Sequence, residues 1–237
     1  MYLLKCRFLL LLLGVLGWCG SGHAAPFEDN MAQRTRACTA CHGEQGRAGP
    51  DGYYPRLAGK PADYLYQQLR NFKEGRRTYP LMTGLIDTLS DAYLLEMAQY
   101  FSALDLPYPP ARPSGAPADV LARGQTLATR GDAALGLPAC AQCHGSAFMG
   151  VLPKVPALLG LPRDYLNAQL GAWQTGQRRA QAPDCMAQVA RKLAPSDVNA
   201  VASWLSAQRV PANSKAATEA APIQQAALPS IECAKDH

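Results

Sequence analysis

The sequence predicts an all-α fold built as two similar helical domains in tandem. Three observations carry that reading. Apolar residues recur at helical spacing in each half, no stretch alternates as a half-buried strand would, and one segment repeats later in the chain at a constant offset. The repeat is exact at many positions. Pro55, Leu57, Gly59, Pro61, Asp63, Tyr64, Leu65, Gln68, Leu69, Gly75 and Arg77 are matched, each 101 residues on, by Pro156, Leu158, Gly160, Pro162, Asp164, Tyr165, Leu166, Gln169, Leu170, Gly176 and Arg178.

The helices can be read one by one. Pro61 suits a first helical turn, Asp63 complements the positive end of the helix dipole, Leu65, Leu69 and Phe72 share a face, and Gly75 stops the helix. Pro162, Asp164, Leu166, Leu170, Trp173 and Gly176 repeat the plan. A further helix in each half follows Ser90, with Leu94, Met97, Ala98 and Phe101 inward, and Ser196, with Val198, Val201, Ala202 and Leu205 inward. Shorter helices are expected at about 28–37 and 120–129.

Punctuation sets the boundaries. Residues 1–25 read as a secretory signal peptide, with Lys5 and Arg7 ahead of an apolar run that is shorter than the roughly 20 residues of a membrane span. Cleavage near Ala25 releases a soluble periplasmic protein; the alternatives are a retained signal or lipid anchor at Cys19, or peripheral membrane association. An N-terminal domain occupies 26–104, a Pro-rich linker 105–118, a C-terminal domain 119–208 and a flexible tail 209–237. Hydrophobic residues make up 48% of the 237-residue chain and charged ones 17%, which supports packed cores rather than disorder. With no dense basic run, nucleic acid is excluded as a partner.

The chemistry lies in Cys38-Thr39-Ala40-Cys41-His42 and Cys140-Ala141-Gln142-Cys143-His144. This pattern attaches haem c: two thiols bond the porphyrin edge, and the adjacent histidine faces the iron. A structural zinc site wants its ligand pairs closer together, and a thioredoxin-like pair wants a βαβ unit, which is missing here. Two covalently bound haem c groups are therefore expected, through Cys38, Cys41, Cys140 and Cys143, with His42 and His144 on the irons.

Elimination narrows the sixth ligand. Of four histidines, His23 lies in the signal, His42 and His144 are used, and His237 ends the tail, so two bis-histidine haems are excluded. Methionine is the next electron-transfer partner. Met82 lies forty residues after His42 and Met186 forty-two after His144, each expected in an irregular segment ahead of the last helix. Met97 belongs to an apolar helix stripe, Met149 stands too near His144 to reach the opposite face, and Met31 has no partner in the second half. A metal-bound histidine usually donates its other N–H to an acceptor, for which the carbonyls of Pro55 and Pro156 are candidates; alternatively both prolines only turn the chain. Cys185 and Cys233 are left over, and in an oxidising compartment they either pair as a disulfide or persist as thiols.

Across about 27–208 the chain resembles the dihaem cytochrome c4 family. The likeness rests on Cys38-Thr39-Ala40-Cys41-His42-Gly43, Pro55-Arg56-Leu57-Ala58-Gly59, Met82-Thr83-Gly84, Leu89-Ser90-Asp91 and Pro138-Ala139-Cys140-Ala141-Gln142-Cys143-His144. The resemblance implies two cytochrome c-like helical domains, each wrapped around a covalent haem, His/Met ligation at both irons, and haems close enough to exchange electrons. It also implies an electron carrier between a quinol-oxidising cytochrome complex or a dehydrogenase and a terminal oxidase or another periplasmic enzyme. Cys185 and the tail with Cys233 depart from the family pattern. The competing class is a dihaem redox enzyme, a peroxidase or sulfur-compound oxidant with one open iron; neither domain offers a spare distal histidine for such chemistry. The formal charge of +5 falls to +3 without Lys5 and Arg7, and four ionised haem carboxylates bring it near −1, so docking is expected to rely on apolar patches rather than strong steering.

Overall fold

The computed structural model describes residues 28–49, 52–219 and 231–233; the leader and His237 lie outside them. Among these residues the first half holds α1 (Met31–Arg34), α2 (Arg36–His42), α3 (Ala62–Lys73), α4 (Pro80–Ile86) and α5 (Asp91–Ala103). The second holds α6 (Ala118–Thr129), α7 (Cys140–His144), α8 (Arg163–Thr175), α9 (Cys185–Ala190) and α10 (Pro195–Ala207). Only isolated bridges, and no strands, occur among the described residues.

Local chemistry explains the boundaries. Ser90 caps α5 by accepting from the Tyr93 N–H, and Gly176 ends α8 in the left-handed conformation at φ 76°. The single helix expected over 28–37 is two. Buried Thr35, whose hydroxyl donates back to the Met31 carbonyl at 2.7 Å, stands at the bend between them, and α2 runs on through the haem motif to His42. The last helix begins one residue before Ser196, at Pro195, whose fixed φ and missing N–H suit a first turn.

In the first half α3 packs across α5, and buried Leu65, Phe72, Leu94, Met97, Ala98 and Phe101 fill the space between them. In the second, α10 crosses α6 and α8 over a larger core that includes Leu127, Leu137, Leu166, Val201 and Leu205. At Gly124 the crossing is so close that a Cβ would lie 2.1 Å from the Ala200 carbonyl oxygen.

The expected flexible tail is corrected in part. Ala217 pairs with the second domain, its N–H donating to Gly150 O at 2.9 Å while its carbonyl accepts from the Leu152 N–H at 2.8 Å. Val210 packs on the second core. Further along, Glu232 O accepts from Gln188 Nε2 of α9 at 2.8 Å. Main-chain hydrogen bonds hold Ala217, which is why the Ala- and Pro-rich composition around it gave no sign of the contact.

The two halves meet in a self-complementary contact. Arg77 and Arg178 bridge antiparallel, Thr78 N–H donates to Gln177 O at 2.9 Å, and Arg179 N–H donates to Arg76 O at 2.7 Å. Each arginine then reaches both glutamines. Arg77 donates to Gln169 at 2.7 Å and Gln68 at 3.2 Å, and Arg178 donates to Gln68 at 2.9 Å and Gln169 at 2.8 Å. Arg77 also contacts the Tyr165 hydroxyl and Arg178 the Tyr64 hydroxyl, each at 3.3 Å. Because these residues are repeat partners, a duplicated domain packs here on its own copy, as subunits do about a two-fold axis.

Candidate haem sites

Both motifs are helical. With two residues between them, Cys38 and Cys41 lie on neighbouring turns of α2 and Cys140 and Cys143 on α7, and each histidine ends its helix. Gly43 and Gly145 follow at φ 74° and 80°, turning the chain sharply; at Gly43 a Cβ would meet the Ala48 carbonyl oxygen at 2.4 Å.

Each histidine is buried and its Nδ1 stands 2.8 Å from a proline carbonyl, His42 from Pro55 and His144 from Pro156. A carbonyl only accepts, so Nδ1 carries the proton and Nε2 keeps its lone pair. Burial lowers the pKa of His144, opposed by the Pro156 carbonyl and reinforced by the positive charge of Lys60 across the domain boundary. The neutral, ligating form of the ring is therefore the one this site holds.

In the first domain His42 opens onto a cavity of about 320 Å3, whose walls include Cys38, Cys41, Met82 and Phe72. Met82 is half-buried in α4 and packs with Cys38 against the Phe72, Ile86, Leu94 and Met97 cluster. Met186 is half-buried in α9. Both methionines are on short helices rather than in the irregular segments expected. Pro80 initiates α4, and Asp184 caps α9 by accepting from the Ala187 N–H. Met97 and Met149 are core residues, at 5% and 3% exposure, while Met31 packs on the first core.

Burial raises the pKa of the Cys38 and Cys143 thiols and pushes that of Cys140 up to about 11. The side chains of Cys185 and Cys233 lie within hydrogen-bond reach of each other. Burial first, and then a hydrogen bond with Cys185, pushes the Cys233 thiol up to about 12.

Sequence reasoning passed over a polar set at the boundary. Arg178 and Lys60 are each only 5% exposed, and Trp173, on whose ring the Arg178 guanidinium stacks at 3.8 Å, buries an Nε1–H that has no acceptor among the described residues. Buried donors and cations without carboxylates fit a cofactor that brings its own. With paired thiols, a neutral imidazole and an apolar cavity, the donor set is that of haem c, and the class defined is a c-type cytochrome of helical domains.

The comparisons agree. The cytochrome c family model matches two stretches, 31–94 and 121–209, and the chain belongs to that family. It is 40% identical over 203 residues to the thiosulfate dehydrogenase electron acceptor of Thiomonas intermedia (strain K12), covering 83% of this chain and 88% of that protein. It is 33% identical over 201 residues to cytochrome c4 of Pseudomonas aeruginosa, covering 84% and 97%. The reduced recombinant cytochrome c4 of Pseudomonas stutzeri superposes with a TM-score of 0.65 at 31% identity, over 77% of this chain and 99% of that one. The protein is thus an electron carrier holding covalent haem c and working with other redox proteins, and the enzyme alternative is set aside.

Proposed function

We propose a periplasmic dihaem carrier, exported by the leader in 1–25, that takes electrons from a respiratory donor and passes them to a terminal oxidase or another acceptor. Cys38 and Cys41 attach one haem, and Cys140 and Cys143 the second. His42 with Met82, and His144 with Met186, would ligate the two irons. Haem supplies the one-electron couple of its iron, and sulfur ligation raises its potential. Pro55 and Pro156 fix the ring planes by accepting from Nδ1, and Cys185 and Cys233 close a disulfide.

The observation that carries this reading is the recurrence of one arrangement in both halves: a motif helix ending in a histidine whose Nδ1 is 2.8 Å from a proline carbonyl, followed by a short methionine-bearing helix. A dehydrogenase is favoured over a quinol-oxidising complex as donor by the 40% identical relative, whose name makes it an acceptor for thiosulfate dehydrogenase. Rapid mixing of the oxidised protein with a thiosulfate dehydrogenase and thiosulfate tests the point. Reduction of both haems at the enzyme's turnover rate is expected; reduction by a quinol-oxidising complex alone would replace the dehydrogenase as donor.

A further inference from the structure

Lys60 is a buried cation that lies outside both haem-attachment motifs. It is 5% exposed, it lines the first domain's cavity with His42, and its ammonium makes no hydrogen bond or ion pair among the described residues. Its charged neighbours are cations, Arg56 and Arg178, with the Tyr165 hydroxyl alongside. Burial pushes its pKa down to about 8.

The other two cations are already engaged. Arg56 donates to the carbonyls of Ala58, Pro107 and Leu106 at 3.0, 3.2 and 2.5 Å and lies over the Tyr108 ring at 4.0 Å. Arg178 donates to Gln169, Gln68 and Tyr64. A buried ammonium beside two guanidinium groups is strongly disfavoured unless an anion joins it. Lys60 is also the asymmetric member of the repeat, since Leu161 stands at its counterpart. It therefore puts a charge of the first domain against the second: it borders the His42 cavity, whose wall also includes Tyr165, Gln169 and Arg178 of the second domain.

We propose that Lys60 is a shared carboxylate site, pairing with haem carboxylates at the domain boundary and raising the reduction potentials of both irons. The inference rests on the two-haem reading. A positive charge held near both irons favours the reduced state of each, because reduction removes one positive charge from the iron centre. As a positioning residue Lys60 touches neither iron.

The test is a spectroelectrochemical titration of the holoprotein beside Lys60→Gln and Lys60→Arg, after haem has been counted in each. Two haems per chain in the unsubstituted protein establish the reading on which the inference stands, whatever the potentials then do. In Lys60→Gln both potentials should shift downward, and in Lys60→Arg both should stay at the native values. Two-haem Lys60→Gln protein with either potential unmoved would overturn the proposal. Should Lys60→Gln fail to mature, a downward shift in Lys60→Arg would overturn it. Titration in increasing inorganic phosphate separates the carboxylate source. Potentials independent of phosphate support haem carboxylates, whereas a phosphate-dependent shift that Lys60→Gln abolishes would assign the site to a free anion and overturn the proposal.

Discussion

Substitution of Gly124 by alanine should destabilise the second domain, although alanine is the better helix former. A Cβ at 124 would lie 2.1 Å from the Ala200 carbonyl oxygen, 2.7 Å from its carbon and 2.8 Å from Trp204 Cβ, where ordinary contact begins at 3.4 Å. Relief requires α6 and α10 to separate by more than about 1 Å, because two of these obstacles are backbone. Overpacking of this kind costs about 1–3 kcal/mol, here towards the upper end, and the helix-propensity gain returns about 1 kcal/mol. A net loss of about 2 kcal/mol follows. Gly171, within α8, is the control: a Cβ there meets nothing within 4 Å, so Gly171→Ala should gain about 0.5–1 kcal/mol. Thermal unfolding followed by far-UV circular dichroism should therefore show Tm falling for Gly124→Ala and rising for Gly171→Ala. Equal stabilisation by both would refute the close crossing.

Three other outcomes are expected. Gln169→Leu removes an acceptor that serves Arg77 at 2.7 Å and Arg178 at 2.8 Å, and should cost about 2–3 kcal/mol by denaturant unfolding. Adding Gln68→Leu should split calorimetric unfolding into two transitions, and a single unchanged transition would show that these glutamines do not carry the coupling between the domains. Peptide mapping of the exported protein without reduction should recover Cys185 joined to Cys233, closing a loop of about 48 residues worth about 3–4 kcal/mol if unstrained; both thiols alkylated would rule it out. Acid-acetone extraction should leave two haems on each chain, and freely extracted haem would contradict thioether attachment.

How far the fold was legible depended on whether its signal is periodic. Leu65, Leu69 and Phe72, or Leu94, Met97, Ala98 and Phe101, mark long amphipathic helices, and those helices are present. The helices bearing Met82 and Met186 have seven and six residues, too few for a period to show, and only Pro80 and Asp184 mark their starts. The bend at Thr35, between α1 and α2, is marked by no glycine or proline. Ala217 is held by main-chain groups, which every residue owns. At the site, the Cys and His positions follow from local spacing alone. The Arg77, Arg178, Gln68 and Gln169 contact was visible as identical repeat positions, but nothing in one chain says that a repeated polar residue faces its own copy. Lys60 carries the opposite signal, a charge where the repeat has leucine, and its burial emerges only when the halves are packed together.

We propose that each domain closes its iron with a methionine, Met82 in the first and Met186 in the second, leaving no open position for a substrate. The most direct measurement is the near-infrared sulfur-to-iron charge-transfer band of the oxidised protein, quantified per chain and compared with Met82→Ala and Met186→Ala. The account predicts a band corresponding to two sulfur-ligated irons, halved by either substitution. A native band corresponding to one iron or none, or a full band that survives either substitution, would contradict it.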